Sequence, residues 1–379
     1  MADRETEIIA KIASGVSGLN ARAWDRLAGD HPFVSHAFLS SLEDSHSVGP
    51  STGWTPAPIL IEDEASHLVA AAPAYFKTHS QGEYVFDHGW ADAWERAGGQ
   101  YYPKLQIAVP FTPVPGPRLL GSRPHYLLTA IEAVTAQNDI SSAHITFIDD
   151  AGAAEAELRG WLIRHGIQYH WFNRGYASFD DFLAGLSSRK RKTLRKERAA
   201  AVEGLEVRIL RGPEIGAAEW DSMWAFYQDT GSRKWGRPYL TREFFDLVAE
   251  RIGDQLLLFL ACREGLPIAG ALNFIGPDTL YGRYWGAIDD VPFLHFELCY
   301  YQAIEWAIDH GLSSVQAGAQ GEHKVARGYE PVITKSAHFL PNRSFRDAVA
   351  EFLETERAAI ASEAEWLRRD LPYRSSSSE

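Results

Sequence analysis

Apolar positions along this chain change period several times, and the changes come in the same order twice. In the first half, alternation over Glu7–Ile12 predicts a short strand, and helical spacing over Leu19–Leu27 and Ser35–Ser45 predicts two helices. Ala57–Ile61 and His67–Phe76 are strand-forming runs on either side of Glu62-Asp63-Glu64, the pattern of an antiparallel hairpin. Lys104–Val109 adds a strand. Pro124 suits a first helical position with Ser122 ahead of it as a cap, which predicts a helix to about Thr135. Strand Ala143–Ile148, helix Ala153–His165 and strand Gln168–Phe172 complete this half.

The second half repeats the plan. Leu205–Leu210 reads as a strand, Glu214–Thr230 and Thr241–Ile252 as helices, and Leu256–Cys262 with Pro267–Ile275 as a hairpin about Arg263-Glu264-Gly265. Strand Leu280–Ala287, a helix opened by Pro292 and running to about His310, and strand Ser314–Gln316 follow, then a strand over Ile333–Leu340. LVAAAPAYF at 68–76 and PIAGALNFI at 267–275 interrupt an apolar strand with small residues at similar places, which suggests an internal duplication. An amphipathic helix over Phe345–Leu367 precedes a Ser-rich tail, Ser375–Ser378, expected to be disordered.

Length supports this division. At 379 residues the chain is expected to hold two domains, drawn here as 1–178 and 202–344, with 179–201 as a basic helical linker and 345–379 as a terminal helix and tail. The longest apolar stretches, such as Leu256–Ala261 and Ile268–Ala271, fall far short of the roughly 18 residues a spanning helix needs. With no signal-like N-terminal segment, a cytoplasmic location is expected. Cys262 and Cys299 are too few for a disulfide framework or a thiolate metal site, and no metal is expected.

Charge divides the chain more sharply than composition does. A net charge of −13 argues against general nucleic-acid binding, because affinity for phosphate backbones comes from clustered Lys and Arg. Arg189–Arg198, RKRKTLRKER, runs the other way, with seven basic residues and one acid. It reads either as a solvated helix or as an anion contact for tRNA, a nucleotide or a CoA tail.

The densest polar chemistry lies in GAQGEHKVARGYEP, residues 318–331, where Glu322, His323, Lys324 and Arg327 follow Gly321 between two apolar elements. Loops on a rigid scaffold are where binding and catalytic groups gather. Glu322 and His323 are candidate bases or anchors for an amine, His323 because an imidazole titrates near ~6.5. Arg327 and Tyr329 are candidates to hold a carboxylate or polar head group. His295 and Glu297 open the preceding helix, about 200° apart on its circumference, so they form no direct dyad. Glu297 is a candidate base or amine anchor, with stabilisation of the helix N-terminus as its structural alternative.

The order strand, two helices, antiparallel strands, helix, strand, helix, strand is that of the GNAT acyltransferase fold, an α/β (α+β) unit with a mixed, largely antiparallel sheet. FDHGWADAWERAGGQYYPKLQIAVPFTPVPGPRLL at 86–120, HFELCYYQAIEWAI at 295–308 and GAQGEHKVARGYEP at 318–331 resemble the Fem-like peptidoglycan biosynthesis/recognition family of the GNAT superfamily, over roughly residues 30 to 355. The resemblance implies two tandem GNAT-like domains and an N-acyltransferase. Its donor would be acyl-CoA, acetyl-CoA included, or aminoacyl-tRNA as in Fem enzymes. The acceptor would be a primary amine, on a small molecule, a peptide or a peptidoglycan precursor; a non-catalytic ligand-binding module of the same fold is the alternative.

The resemblance also implies residues. Lys324 lies where Fem-like sequences place a lysine thought to neutralise developing charge or a substrate phosphate. The GNAT phosphate loop is sought ahead of each half's central helix. In the second half, Arg283-Tyr-Trp-Gly286-Ala-Ile288 is followed by Asp289 and Asp290, which would repel a pyrophosphate. In the first half, Arg118-Leu-Leu-Gly121-Ser122-Arg123 carries two arginines, so the cofactor's phosphates are expected there, with an ordinary structural turn as the alternative. Trp90, Tyr101 and Tyr102 are candidate walls of an acceptor cleft, or else packing residues.

Overall fold

The computed structural model describes residues 9–235, 238–318 and 321–374. Glu7 and Ile8, the tail Ser375–Ser378, and Ala319 and Gln320 of the polar loop lie outside the described residues. The chain forms two compact units. The first is Met1–Gly166 with Tyr239–Phe244 and Thr334–Ile360; the second is Ile167–Pro238 with Phe245–Ile333 and Ala361–Glu379.

The first unit begins with β1 (Ile9–Ile12), α1 (Ala21–Ala28) and α2 (His36–Asp44). Asn20 and Ser35 start the two helices by accepting from the backbone N–H groups of Ala23 and Phe38. Then come β2 (Trp54–Pro56), β3 (Ile59–Glu62), β4 (Leu68–Ala72) and β5 (Ala74–Lys77). Pro73 divides what the sequence reads as one strand, and the pieces join different sheets. α3 (His88–Arg96), β6 (Lys104–Ile107), β7 (Leu120–Gly121), α4 (Pro124–Gln137), β8 (Ala143–Ile148), α5 (Asp150–Leu158) and β9 (Leu162–Phe172) follow. The expected helix over Ala153–His165 stops early because Gly160 takes φ +81°, after which the chain turns into β9.

Strands β1, β3, β4 and β7 make a small antiparallel sheet, while β2, β5, β6 and β8 make a mixed one in which β6 and β8 run parallel. Ala70, Ala71 and Ala72 of β4 are fully buried. The core under α4 gathers Ile59, Leu105, Leu127, Ile131, Ile145 and Trp161.

The second unit opens with α6 (Phe179–Gly185) and α7 (Ser188–Ala201). These residues, drawn from the sequence as a linker, are part of a folded unit, because α7 buries Leu194 and Ala201 in its core. A buried leucine contributes about 1.5–3 kcal/mol, enough to hold the helix down. β10 (Glu206–Arg211), α8 (Ala217–Trp235), α9 (Arg242–Ile252), β11 (Leu256–Arg263), β12 (Leu266–Ile275) and β13 (Thr279–Ala287) follow. Gly270 shows why β12 needs small residues: a Cβ there would lie 3.1 Å from the Met223 sulfur and 3.3 Å from the Phe226 ring of α8.

The helix expected from Pro292 to His310 forms in three pieces, α10 (Leu294–Phe296), a π turn (Glu297–Tyr301) and α11 (Gln302–Asp309). β14 (Ser314–Gln316), a 3-10 turn (Glu322–Arg327), β15 (Glu330–Phe339) and α12 (Arg343–Arg369) end the chain. β10 to β13 are antiparallel neighbours; β13 then pairs in parallel with β14, and β14 antiparallel with β9. Each unit therefore contains one parallel strand pair joined through a helix, β6 and β8 or β13 and β14, which is the duplication read from the sequence. The chain is two tandem GNAT-like units with mixed, largely antiparallel sheets. Residues 343–360 of α12 belong to the first unit, and the rest of the helix to the second.

Candidate functional site

β13 and β14 pair over only three positions, Thr279–Tyr281 with Ser314–Gln316. Past Gln316 the chain leaves the sheet, while β13 continues to Ala287. The 3-10 turn lies in the stretch that leaves, and the aromatic helix start lies beside it. Trp285 of β13 packs 5.2 Å from the His295 ring, His295 packs 5.2 Å from Tyr300, and His323 sits 5.4 Å from Phe296 and 6.3 Å from His295. Phe293, the residue before α10, holds φ +65°, a strained conformation for a bulky side chain and one that tends to cluster at functional sites.

Lys324 is 1% exposed, and its Nζ donates to the Gly318 carbonyl at 2.7 Å. Its other near neighbours are the rings of Tyr169 and Tyr300, about 6 Å from the nitrogen. Among the described residues no carboxylate pairs with it, and the neighbouring Glu322 side chain makes no contact with Nζ. Burial therefore pulls the Lys324 ammonium down to about 7, opposed only by Cys299. His170 of β9 feels the same site: burial, then the Lys324 charge, lowers it to about 4. His323 is exposed for part of its surface and is lowered by burial and then by Arg327 and Lys324.

Several expected site residues are occupied by structure. Glu297 is 1% exposed and receives Arg198 as a bidentate partner, Nε to Oε2 at 3.0 Å and Nη2 to Oε1 at 2.8 Å, with Gln302 adding a third donor at 2.8 Å. These bonds tie the Glu297 carboxylate to α7, as expected of a structural anchor. Arg327 is committed too. Its Nη2 reaches both Glu197 oxygens at 3.0 and 2.9 Å, its Nε meets the Tyr301 hydroxyl at 3.0 Å, and its Nη1 donates to the His323 carbonyl. Its guanidinium also lies 3.5 Å from the Phe296 ring centre. Tyr329 is fully buried. Arg327 is spent in fixing the turn, and the Tyr329 hydroxyl is buried without a hydrogen-bond partner among the described residues.

These contacts make α7 a scaffold of the site. Glu197 faces the turn through Arg327 and Tyr301, and Arg198 joins Glu297 to Glu305. The π turn makes this double engagement possible, presenting Glu297 and Tyr301 to α7 while Tyr300 meets His323. Arg198 also separates two grooves, one of about 310 Å³ beside Phe179, Asp180 and Asp309 and one of about 490 Å³ beside Val202, Leu205 and Gln302. The outer residues Arg189, Lys192 and Lys196 are exposed, and Arg195 pairs with Asp180 at the surface.

The remaining candidates belong to the first unit. Arg118 is 1% exposed, with its guanidinium spent on the carbonyls of Thr146, Pro117 and Val114 at 3.1, 3.1 and 2.6 Å. Burial lowers its pKa to about 10. Its guanidinium closes the loop ahead of β7 and is not free for a phosphate. Gly121 is required by φ +90° and by the Val69 carbonyl, 2.5 Å from where a Cβ would be. Ser122 is exposed and does not cap α4, whose N-cap is Arg123, itself lying over the Tyr126 ring at 5.8 Å. Trp90 and Tyr101 are core residues packed with Phe345 and Leu353 of α12, and the half-buried Tyr102 bonds Ser80 at 2.8 Å, so these rings help pack the unit.

Sequence reading missed a buried charged network around Tyr101. Lys104 is fully buried and donates to Ser80 and Glu83 at 2.7 Å each and to Asp87. Tyr101 donates to Asp87 at 2.7 Å and lies 3.3 Å from His144, which meets His338 nitrogen to nitrogen at 2.7 Å. Lys77 stands 3.8 Å from Glu83 and 3.7 Å from the Trp54 ring. The available signal was a lysine at the end of each of two short apolar strands. Tyr300, Tyr301, Glu197 and His170 gave no such signal.

The sequence pattern of the FemAB-like family, described as peptidoglycan biosynthesis/recognition, matches residues 15–375. The fold is similar to that of FemX, with a TM-score of 0.53 and 11% identity over 91% of this chain and 100% of that one. It is also similar to L-PGS from Bacillus licheniformis, with a TM-score of 0.50 and 11% identity over 86% and 97%. A conserved protein of unknown function from Bacteroides thetaiotaomicron VPI-5482 aligns with a TM-score of 0.52 and 11% identity over 88% and 100%. No curated protein matches the sequence.

Proposed function

The chain belongs to the FemAB-like family of peptidoglycan biosynthesis/recognition, and we propose that it is an aminoacyltransferase that moves an aminoacyl group from aminoacyl-tRNA to a primary amine. Lys324 carries the reading: a buried lysine lowered to about 7, with no carboxylate partner among the described residues, takes up and returns a proton near neutral pH. The neutral Lys324 amine accepts a proton from the acceptor ammonium, and the freed amine attacks the ester carbonyl. The resulting Lys324 ammonium stabilises the oxyanion. It then returns its proton to the departing ribose oxygen as the C–O bond breaks, and the amide nitrogen releases its second proton to water.

The donor follows from where phosphate could be held. Of the candidates for a CoA phosphate, Arg118 is buried and the loop ahead of α10 carries Asp289 and Asp290, while Arg123 and the basic face of α7 stay open to either donor. The tRNA reading draws on exposed Arg189, Lys192 and Lys196 of α7, a helix bonded directly to the site turn through Glu197. FemX and L-PGS share the fold, and that likeness adds nothing on the donor.

The test offers purified protein labelled aminoacyl-tRNA and labelled acetyl-CoA with a panel of peptide and small-molecule amines. Transfer from tRNA that falls at least tenfold when Arg189, Lys192 and Lys196 are changed to Glu supports the reading. Transfer from acetyl-CoA alone, unchanged by those substitutions, would sink it. A Lys324→Met protein with full transfer would remove the proposed chemistry.

A further inference from the structure

The Tyr300 hydroxyl lies 2.8 Å from His323 Nε2, and among the described residues no other polar atom shares a hydrogen bond with it. Tyr300 is 2% exposed. Two arrangements fit the distance, with the phenol either donating to Nε2 or accepting from an Nε2–H. Accepting would leave the phenol's own proton buried without an acceptor, at a cost of about 1–3 kcal/mol. Burial also raises Tyr300 well above the ordinary phenol value, so the proton stays on oxygen. Donation satisfies both groups.

We propose that Tyr300 is a positioning residue that holds His323 as the neutral Nδ1–H imidazole, so that His323 presents a hydrogen-bond donor to a ligand oxygen. That oxygen is the acyl carbonyl, which becomes the oxyanion; its identity rests on the function proposed above. His323, which the sequence offered as a base, has its basic nitrogen Nε2 occupied by Tyr300 and gives through Nδ1, which has no hydrogen bond among the described residues. Backbone geometry fixes the ring. Gly321, at φ +113°, lies flat against the imidazole, and a Cβ there would come within 2.5 Å of Cε1 and 3.1 Å of Nδ1. The groups that face the imidazole are His295 and Phe296 on α10, Tyr300 in the π turn, and Lys324 and Arg327 in its own segment. Lys324 and Arg327 disfavour an imidazolium, in keeping with a neutral donor.

The tautomer is directly readable. Long-range proton–nitrogen correlation spectra of the full-length protein labelled with nitrogen-15 histidine would be recorded for the wild type and for Tyr300→Phe, with His323→Gln used to assign the resonance. The wild type is expected to show a pyrrole-type Nδ1 and a pyridine-type Nε2 at neutral pH. Tyr300→Phe keeps the ring packing, so it is expected to lose that fixed pattern and to show a mixture of the two tautomers. An Nε2–H tautomer in the wild type, or identical spectra in both proteins, would overturn the assignment whether or not any transfer activity exists. Where transfer is measured, Tyr300→Phe is expected to lower kcat about tenfold at unchanged KM, less than the ~10²-fold of deleting an oxyanion donor outright. An unchanged kcat alongside an altered tautomer would overturn the donor role.

Discussion

Lys104 in the first unit and Lys324 in the second are each at most 1% exposed, yet their surroundings are opposite in kind. Lys104 is met by Glu83, Asp87 and Ser80, and these carboxylates more than offset burial, so its pKa is raised. Lys324 is met by one backbone carbonyl and two aromatic rings, and burial prevails. The first arrangement surrounds the Lys104 ammonium with carboxylates and keeps it charged. The second leaves an amine that changes charge near neutral pH, which costs stability and creates reactivity. The contrast belongs to these two lysines and not to the two halves, because burial also lowers Lys77 and raises Glu83 of the first unit to about 7 each.

The contrast is most open to attack at Lys104. Lys104→Met strands Asp87 and Glu83 in the core and is expected to cost about 3–5 kcal/mol in urea unfolding. A loss below about 1 kcal/mol would mean that the network is solvated and the comparison mistaken. Lys324→Met should do the reverse, raising stability by about 1–2 kcal/mol while reducing transfer by at least ~10²-fold. Destabilisation by that substitution would show that the ammonium is better solvated than its surroundings imply.

The pH dependence sharpens the same point. Lys324 is lowered to about 7 in the fold, so between about 7 and 10.5 the unfolded chain carries a proton that the folded one lacks. Stability should therefore rise with pH across that window, and Lys324→Met should remove that part of the rise. Lys77, lowered to about 7 by burial, contributes in the same direction and remains in the variant, so the slope should fall without vanishing. On the acid side, His144 is lowered to about 3 and His338 also lies below its ordinary value. Both should make stability fall as pH drops below about 6.5. His144→Gln would flatten that limb if the histidine pair is its source.

The smallest expected effect is at Gly321. Gly321→Ala combines a positive φ with a Cβ pressed against the His323 ring and should cost about 1–2 kcal/mol locally. It should also displace the imidazole, seen as a change in the His323 nitrogen shifts; unchanged shifts would show that the ring is held only by Tyr300.

The repeated order of elements was legible because it rests on local periodicity; Lys324 and His323 stood out as candidates because they sit together in a short glycine-bounded turn. Glu297, Arg327 and Arg118 were misread for one shared reason. Each is a charged residue near a helix or turn, and its partner lies far away in sequence: Arg198 for Glu297, Glu197 for Arg327, and the Thr146 carbonyl for Arg118. No local pattern shows that a charge is already spent. The basic stretch was misread as a linker for a related reason, since its one acid, Glu197, and its last arginine, Arg198, face inward.

The π turn at Glu297–Tyr301 takes one more residue per hydrogen-bonded ring than the α-helix around it. It therefore works as a reading frame. Removing a single residue there would give a regular, locally more stable helix with the same apolar face toward the core. The residues on either side would keep their faces, and those remaining from Glu297–Tyr301 would take ordinary α spacing. Glu297 and Tyr300 could no longer both meet their partners, so shape and chemistry in this half are separable by one residue.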